Sequence, residues 1–266
     1  MSPTVIAIIA ALLPAALLLF YIYRADKAQP EPASWLWKGV GYGVGSAILV
    51  IALFAVFPTP LALLPAFEGT AVGALIDAFG TAAIPEEGAK LLMLWLLLRK
   101  NPYFDEHLDG IVYATCIGLG FAGFENIFYL IDNLDSLVTI AVIRGLFSVP
   151  GHFFFAVAMG YFYSKAHFTT SAASSSRNIL LAFIVPMILH GIFDALLMLT
   201  PLNEVVGVFC VIAFLYFNVK LHKRGRRYIK EMKESDLASQ EEVAIPQEQS
   251  DTDNYGVSGK ILGAEN

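Results

Sequence analysis

Residues 178–200 have the sequence NILLAFIVPMILHGIFDALLMLT, in which ionisable side chains occur only at His190 and Asp194. A helix of about 20 mostly apolar residues spans the ~30 Å hydrocarbon core of a bilayer. The run therefore predicts a transmembrane helix. His190 and Asp194 are four residues apart and share one face of that helix, where exposure to lipid would be costly. We expect this face to point into a bundle of helices.

Six further apolar runs of similar length are bounded by charged residues or by Gly, Pro and Asn. Of the 266 residues, 57% are hydrophobic and 15% are charged, whereas an average soluble domain is about 25% charged. We therefore predict an all-α, polytopic transmembrane helix bundle of about seven spans over residues 1–222. The six further runs are 4–23, 35–57, 80–98, 109–131, 137–163 and 204–222.

Two apolar segments allow more than one interpretation. Run 4–23 has no Lys or Arg before it and exceeds the roughly 7–15 apolar residues of a signal peptide, so we predict an uncleaved span. Segment 58–79 is too apolar for a free loop, although it contains Glu68 and Asp77. For this segment we predict an interfacial or re-entrant helix that leads into the third span.

Basic residues are confined to alternate loops, which predicts the orientation of the bundle. Lys and Arg near span ends are retained on the cytoplasmic side. Loops 58–79, 132–136 and 201–203 contain none, so we predict that these loops and the N-terminus lie outside and that the C-terminal tail is cytoplasmic. The residues that carry this signal are Arg24, Lys27, Lys38, Arg99, Lys100, Lys165, Arg177 and eight residues from Lys220 to Lys260.

Residues 223–266 form a basic and then acidic cytoplasmic tail. From Ser235 onward the tail has no hydrophobic periodicity, and we predict that the tail 223–266 is disordered. The basic run 220–233 fits an anchor to anionic lipid. The net charge of −6 comes from the tail and gives no support for nucleic-acid binding. Only two cysteines, Cys116 and Cys210, occur, both in apolar runs, which excludes a disulfide scaffold and predicts that neither is paired.

Ionisable side chains recur inside the predicted spans at a similar depth. With a rise of about 1.5 Å per residue, the depth is ~18–24 Å from the cytoplasmic end of each span. We predict that antiparallel spans bring these carboxylates and imidazoles into one layer, which is a functional hypothesis by default. The residues at this depth are Glu86, Glu125, His152, His190 and Asp194, and Glu87, Lys90 and Arg144 lie in the same spans.

Spacing along the helices predicts pairs among these residues. Glu86 and Glu87 each share a helix face with Lys90, whose ammonium group would partly neutralise a buried carboxylate. His190 and Asp194 could chelate a metal, or Asp194 could orient His190. Arg144 lies near the outer end of its span, where it could snorkel to the interface, hold Glu125 or contact a substrate carbonyl.

Glycines in two spans favour close helix packing. Gly118, Gly120 and Gly123 match the dinucleotide motif G-x-G-x-x-G, but that motif follows a strand in a βαβ unit, and here it lies inside an apolar helix. We predict instead that these small residues let neighbouring helices approach closely. The same prediction applies to Gly39, Gly41, Gly43 and Gly45.

Three short motifs in the spans resemble those of the PrsW family of intramembrane proteases, a branch of the larger group that includes the CAAX prenyl proteases. Their order and their placement in spans are also similar, over roughly residues 80–200. Asp109-Gly110 and the stretch from Arg144 to His152 look like the family as well. The motifs are Glu86-Glu87-Gly88-Ala89-Lys90 for E-E-x-x-K, Phe121-Ala122-Gly123-Phe124-Glu125 for F-x-x-x-E and His190-Gly191-Ile192-Phe193-Asp194 for H-x-x-x-D.

The resemblance implies a membrane-embedded endopeptidase of the bacterial cytoplasmic membrane. It implies a substrate that is a single-pass membrane protein, cut at or near the outer membrane face. An anti-sigma factor in envelope-stress signalling is one candidate, because the best-known family member acts on such a protein. The expected partners are this substrate and the lipid bilayer, without nucleic acid, and the sequence carries no signal of oligomeric state.

Two mechanisms fit these residues. Peptide hydrolysis needs an activated water, a group that stabilises the oxyanion and a proton for the leaving amine. We expect Glu86 or Glu87 to be the base, with Lys90 tuning its charge. In a zinc mechanism His190, Asp194 and Glu125 bind Zn²⁺, with His152 as a further candidate ligand. In a metal-free Glu/His mechanism, the histidines hold the water and the oxyanion. The predicted catalytic residues are Glu86, Glu87, Lys90, Glu125 and His190.

Two other functions are compatible with buried ionisable residues. A proton- or ion-coupled transporter would use the same Glu, His and Asp side chains as a relay. Against it, the sequence has no obvious pair of matching Gly- or Pro-broken spans of the kind that inverted repeats produce. A non-catalytic scaffold would use Glu86–Lys90 and His190–Asp194 as structural pairs, so that Glu86→Gln would lower stability without affecting an activity.

Overall fold

The computed structural model describes residues 2–244, and this part of the chain is helical without a β-strand, which confirms the all-α prediction. Short 3₁₀ turns lie at Pro65–Phe67, Leu134–Ser136 and Thr200–Leu202, and π-helical segments at Asp77–Ala83 and Arg144–Ser148. The α-helices are α1 (Pro3–Ala25), α2 (Ala33–Val56), α3 (Ala71–Ile76), α4 (Ile84–Leu98), α5 (His107–Asp132), α6 (Leu137–Ile143), α7 (Val149–His167), α8 (Ala172–Leu199) and α9 (Glu204–Ala244).

Six helical stretches in residues 2–244 are long and apolar enough to cross a membrane. They coincide with six of the seven predicted spans. The remaining predicted span, 80–98, is also helical, because α3, the first π-helical segment and α4 form one continuous helix over residues 71–98. Lipid-facing surfaces carry large apolar side chains, such as Leu17 on α1 and Phe209 on α9, which are 60% and 69% exposed. The total of seven spans and the orientation stay predictions.

Helix α5 lies at the centre of the bundle, packed against α1, α2 and α7. Its glycines make this possible. A Cβ atom at Gly120 would lie 2.3 Å from the carbonyl oxygen of Val40 in α2, and one at Gly118 would lie 2.6 Å from the Cβ of Ala156 in α7. Side chains at these positions would push the helices apart, so the prediction of close packing is confirmed for α5.

The glycines of α2 lie on two different faces of the helix. A Cβ at Gly43 would lie 2.1 Å from the carbonyl oxygen of Ile117 in α5, and one at Gly39 would also collide with α5. At Gly41 and Gly45 a Cβ would meet no atom within 4 Å. The close-packing prediction is therefore wrong for these two, because residues two positions apart point to different sides of a helix.

The segment before the third predicted span contains the helix that the sequence led us to expect. Helix α3 begins after Thr70, whose hydroxyl accepts a hydrogen bond from the Gly73 N–H at 3.1 Å. This cap satisfies one of the free N–H groups at the helix N-terminus. The chain then continues without a break into α4.

Two long helices each contain a π-helical segment, and in both the segment is followed by an α-helix with proline in its first turn. The first immediately precedes α4, which has Pro85 in its first turn, and the second immediately precedes α7, which has Pro150 in its first turn. Proline has no N–H to donate, so it is tolerated where the regular hydrogen-bond ladder restarts. Both helices stay continuous through these segments, so the π-helical segments are not the broken spans that inverted repeats produce. They lie just before Glu86 and His152.

Helix α9 extends well past the predicted end of the seventh span. It continues to Ala244, so the prediction of disorder from residue 223 is wrong up to that point, and residues 245–266 lie outside the described part. Packing stabilises the extension. Asp236 accepts hydrogen bonds from the backbone N–H groups of His107 and Leu108, at 2.6 and 2.9 Å, and so caps α5. Tyr161 donates to Glu231 at 2.8 Å.

Candidate active site

A cavity of about 580 Å³ lies between α4, α5, α7, α8 and α9, beside both π-helical segments. The structure brings the predicted carboxylates and imidazoles together around this cavity, and their common depth in a membrane stays a prediction. The ionisable side chains that line the cavity are Glu86, Glu125, Arg144, His152, His190 and Asp194.

The two neighbouring glutamates of α4 have different surroundings. Glu86 lines the cavity, and its side chain is 11% exposed. Glu87 is fully buried, and its Oε1 accepts hydrogen bonds from Lys90 Nζ at 2.8 Å and from His190 Nδ1 at 2.9 Å. Consecutive helical residues point about 100° apart, so only one of them faces the cavity. Glu86 is therefore the glutamate placed to contact a water molecule there.

Lys90 connects α4 to α7 behind the cavity. Its ammonium group lies 3.3 Å from Glu86 Oε2 and 3.2 Å from His152 Nδ1. An ammonium group only donates, so Nδ1 of His152 accepts and its other nitrogen, Nε2, carries the proton. Lys90 also lies 3.9 Å from the centre of the Phe121 ring, in cation–π geometry. Phe121 is the first residue of the F-x-x-x-E motif.

His190 is held by carboxylates on both sides of its ring. Nδ1 faces Glu87, and Nε2 lies 3.2 Å from Asp194 Oδ2 and 4.0 Å from Glu86 Oε2. Phe155 stacks on the ring at a centroid distance of 5.0 Å. These contacts fix the ring plane and direct Nε2 towards the cavity, where the acidic side chains of Glu86 and Asp194 also lie.

The second histidine belongs to a chain of polar contacts that reaches α1. His152 Nε2 lies 3.2 Å from Glu125 Oε2, and Arg144 donates to the same oxygen at 2.7 Å. Arg144 also donates to Asn126 Oδ1 at 2.7 Å, and Asn126 donates to the carbonyl oxygen of Ala11 at 3.0 Å. Of the roles open to Arg144, holding Glu125 is the one observed.

The family model described as PrsW family intramembrane metalloprotease matches residues 31–219 of the chain. The chain belongs to the PrsW family. It is therefore a membrane protease with several membrane-spanning helices, and in bacteria such proteins lie in the cytoplasmic membrane.

Three relatives named Protease PrsW illustrate the similarity. The protein from Oceanobacillus iheyensis is 36% identical over 188 residues, which cover 71% of this chain and 81% of the relative. Those from Clostridioides difficile and Bacillus subtilis are 33% and 31% identical over 71% of this chain, and over 78% and 81% of their own lengths. No solved structure gives a significant match to the chain.

The donor atoms of this PrsW site suit a metal ion on the cavity side. Ligand atoms of four residues lie within 4.8 Å of one another, and these are Glu86, Glu87, His152 and His190. This set differs from the predicted one by including Glu86 and Glu87 in place of Glu125 and Asp194. However, three of the four already contact the Lys90 ammonium group. The four predicted ligands Glu125, His152, His190 and Asp194 all line the cavity and supply nitrogen and oxygen donors, the types that zinc prefers, but Glu125 and Asp194 lie outside the group whose ligand atoms are within 4.8 Å of one another.

Two residues of this PrsW site were not predicted from the sequence. Asn126 follows Glu125 directly and is fully buried. It could have been found from the sequence, because an Asn inside an apolar run is as unusual there as an ionisable residue. Tyr129 lies one turn beyond Glu125 and places its ring 3.7 Å from the Arg144 guanidinium carbon. The spacing i, i+4 would have pointed to Tyr129, but tyrosine is common at membrane interfaces for other reasons.

Proposed function

We propose that this PrsW family member is an endopeptidase that cleaves single-pass membrane proteins close to the outer membrane face. The observation that carries the proposal is the cavity, which gathers three carboxylates, two imidazoles and a guanidinium group inside an otherwise apolar bundle. Its other lining residues include Ile143, Phe147 and Leu197, at the helix ends that the basic-residue pattern predicts to lie outside. A substrate segment leaving the bilayer on that side would meet the cavity.

Glu86 is the residue that acts on the attacking water. It faces the cavity, whereas Glu87 is buried and engaged by Lys90 and His190. A carboxylate in hydrogen-bond reach of water can accept its proton as the water attacks the peptide carbonyl, and can then donate it to the leaving amine. Glu87 is a positioning residue because it acts through His190, and Lys90 is one because it acts through Glu86.

The cavity-side donors would hold a zinc ion through His190, Asp194 and Glu125. His152 would be a further ligand only after its Nε2 loses the proton that the contact of Nδ1 with Lys90 places there. When bound, zinc supplies a Lewis acid that lowers the pKa of water and polarises a carbonyl oxygen. Glu87 would keep its hydrogen bond to His190 Nδ1, which is the carboxylate–histidine contact that orients metal-binding histidines. Arg144 would keep Glu125 in place from the opposite side.

Anti-sigma factors in envelope-stress signalling are our proposed substrate class. Such proteins have one transmembrane segment and a region on each side of the membrane, which suits an enzyme whose cavity lies near one membrane face. The alternative function, proton- or ion-coupled transport, is not favoured, because the chain belongs to a protease family over residues 31–219.

Comparison of protein N-termini tests the proposal. Membrane fractions are prepared from cells that express the wild type or Glu86→Gln at matched abundance, at rest and under envelope stress. We expect new N-termini near the outer ends of single-pass proteins with the wild type alone. The control is Asp135→Asn, an exposed acid in the turn next to α6, which should give the wild-type profile.

Two results would contradict the proposal. Identical profiles for the wild type and Glu86→Gln in both conditions would rule out cleavage by this site. New N-termini in soluble or multi-pass proteins alone would retain a protease but reject the substrate class. Thermal unfolding of the same variants separates loss of chemistry from loss of fold, since a purely structural pair predicts lower stability for Glu86→Gln.

A further inference from the structure

A second group of buried carboxylates lies at the opposite end of the bundle from the active-site cavity. Asp26 comes from the α1–α2 loop, Glu106 is the N-cap residue of α5, and Asp109 lies in the first turn of that helix, where the two form a capping box. Each offers a carboxylate oxygen, and these oxygens lie within 4.8 Å of one another. Asp26 and Asp109 are 2% and 0% exposed. The proposed protease function does not use these residues.

Two more acidic side chains surround this carboxylate cluster of Asp26, Glu106 and Asp109. Glu31 is 7% exposed, lies against Asp109 and accepts a hydrogen bond from the Tyr113 hydroxyl. Asp236 on α9 is 8% exposed and faces the same small cavity as Asp26 and Glu106. Five acids from three separate parts of the chain therefore lie together.

Positive charge near the cluster is scarce. Among the side chains that the structure describes, no Lys or Arg forms an ion pair with any of the five acids, and the single ion-pair contact is that between His107 and Asp236 at 2.9 Å. Lys233 lines the small cavity without reaching 4.0 Å of a carboxylate. Burying charges without compensation is costly, so buried carboxylates are normally paired or bound to a metal.

One carboxylate oxygen of the cluster receives no hydrogen bond from an N–H group of the described residues. Asp109 Oδ2 accepts the backbone N–H groups of Asp105 and Glu106, at 3.1 and 2.7 Å. Its Oδ1 is buried and receives no N–H donor in the described part of the chain, where the neighbouring polar side chain is the carboxyl group of Glu31, which has no proton to donate when ionised. A buried oxygen without a donor needs a ligand, because its desolvation is otherwise uncompensated. The adjoining cavity of about 80 Å³ leads from Asp26 and Glu106 towards Gln240.

We infer that Asp26, Glu106 and Asp109 bind a hard divalent cation of the Mg²⁺ or Ca²⁺ class. Such ions take oxygen ligands from carboxylates and complete their shells with water, for which the small cavity has room. A bound cation connects the α1–α2 loop to α5, whose first turn is also capped by Asp236 of α9. The site therefore stabilises the end of the bundle that we predict to be cytoplasmic.

Metal binding to the purified full-length protein in detergent tests this inference. Thermal unfolding is measured with and without Mg²⁺ or Ca²⁺, and Tb³⁺ luminescence excited through tyrosine reports affinity. The variants are Asp26→Asn and Glu106→Gln. Glu106 is only half-buried, and a Gln at this position keeps a side-chain oxygen that can cap α5. Matched controls are Asp105→Asn, an exposed acid of the same loop, and His190→Ala, which alters the active-site cavity.

We expect Mg²⁺ or Ca²⁺ to raise the unfolding temperature of the wild type. Tb³⁺ affinity should fall at least about tenfold in Asp26→Asn and Glu106→Gln, because each substitution removes one ligand oxygen. In both controls it should stay within about twofold of the wild-type affinity. The inference would be overturned if neither cation changed the unfolding temperature. It would also be overturned if the unfolding temperature changed only when the pH was lowered. Affinity lost in His190→Ala alone would place the ion in the active site and would equally overturn it.

Discussion

Glu87 accepts a hydrogen bond from His190 across 2.9 Å, and this contact joins the E-E-x-x-K motif of α4 to the H-x-x-x-D motif of α8. The residue before it, Glu86, faces the cavity instead. Two identical side chains, adjacent in the sequence, thus have separate roles. Glu87 is enclosed by Lys90 and His190, whereas Glu86 lines the cavity.

The first prediction concerns the cavity-facing glutamate. Glu86→Gln keeps the shape of the side chain but cannot accept a proton, so we expect cleavage of a membrane reporter to fall by about 10²–10⁴-fold. The unfolding temperature should stay close to that of the wild type. Assay of the purified protein with a tagged single-pass reporter measures this. A variant that retains more than a tenth of wild-type activity would remove Glu86 from the chemistry.

The second prediction concerns the buried ion pair behind the cavity. Lys90→Met leaves Glu87 and Glu86 without their ammonium partner, so we expect the free energy of unfolding to fall by about 3–5 kcal/mol. Equilibrium unfolding in mixed micelles measures it. The matched control is Lys230→Met, which removes an exposed i, i+4 pair with Glu234 and should change stability by less than about 0.5 kcal/mol. Equal effects of the two variants would contradict this prediction.

The third prediction concerns Arg144 and Glu125. Because Arg144 donates to Glu125 at 2.7 Å, both substitutions Arg144→Gln and Glu125→Gln should lower cleavage, and the double variant should lose less than the product of the two single losses. We expect about tenfold for Arg144→Gln. Arg177→Gln, at an exposed position of α8, is the control and should be fully active. Multiplicative losses would show that Arg144 acts independently of Glu125.

The fourth prediction concerns helix packing. Gly43→Ala places a methyl group 2.1 Å from the Ile117 carbonyl oxygen, which forces α2 away from α5. We expect a loss of about 1–3 kcal/mol in the free energy of unfolding. Gly41→Ala, half a helical turn away, meets no atom within 4 Å and is the matched control, expected to be neutral or slightly stabilising. A similar loss of stability at both positions would contradict the close contact between α2 and α5 at Gly43.

The fifth prediction concerns the metal. If the cavity-side donors hold zinc, dialysis of the purified protein against a chelator should lower cleavage at least about tenfold, and added Zn²⁺ should restore it. Elemental analysis should give about one zinc per chain in the wild type and none in a His190→Ala/Asp194→Ala variant. Full activity of metal-free protein would favour the Glu/His mechanism instead.

Much of the fold follows from local features of the sequence. Apolar runs of about 20 residues predict membrane-spanning helices because a bilayer imposes that length. The spacing of Glu86 and Lys90, or of His190 and Asp194, predicts shared helix faces for the same local reason. The helical extension to Ala244 could not be predicted in this way, since it depends on the contacts of Asp236 and Glu231 with α5 and α7.

The sequence by itself determined the helical class, the positions of the long helices and the identity of the ionisable residues that line the cavity. These are properties of neighbours along the chain, which periodicity and motif spacing report directly. Only the tertiary structure decided which glutamate faces the cavity, what Arg144 contacts and which acids form the cluster at Asp26, Glu106 and Asp109. Those relationships depend on how helices rotate and slide against each other. Close contacts such as Gly43 with Ile117 set that packing, and they join residues far apart in the chain.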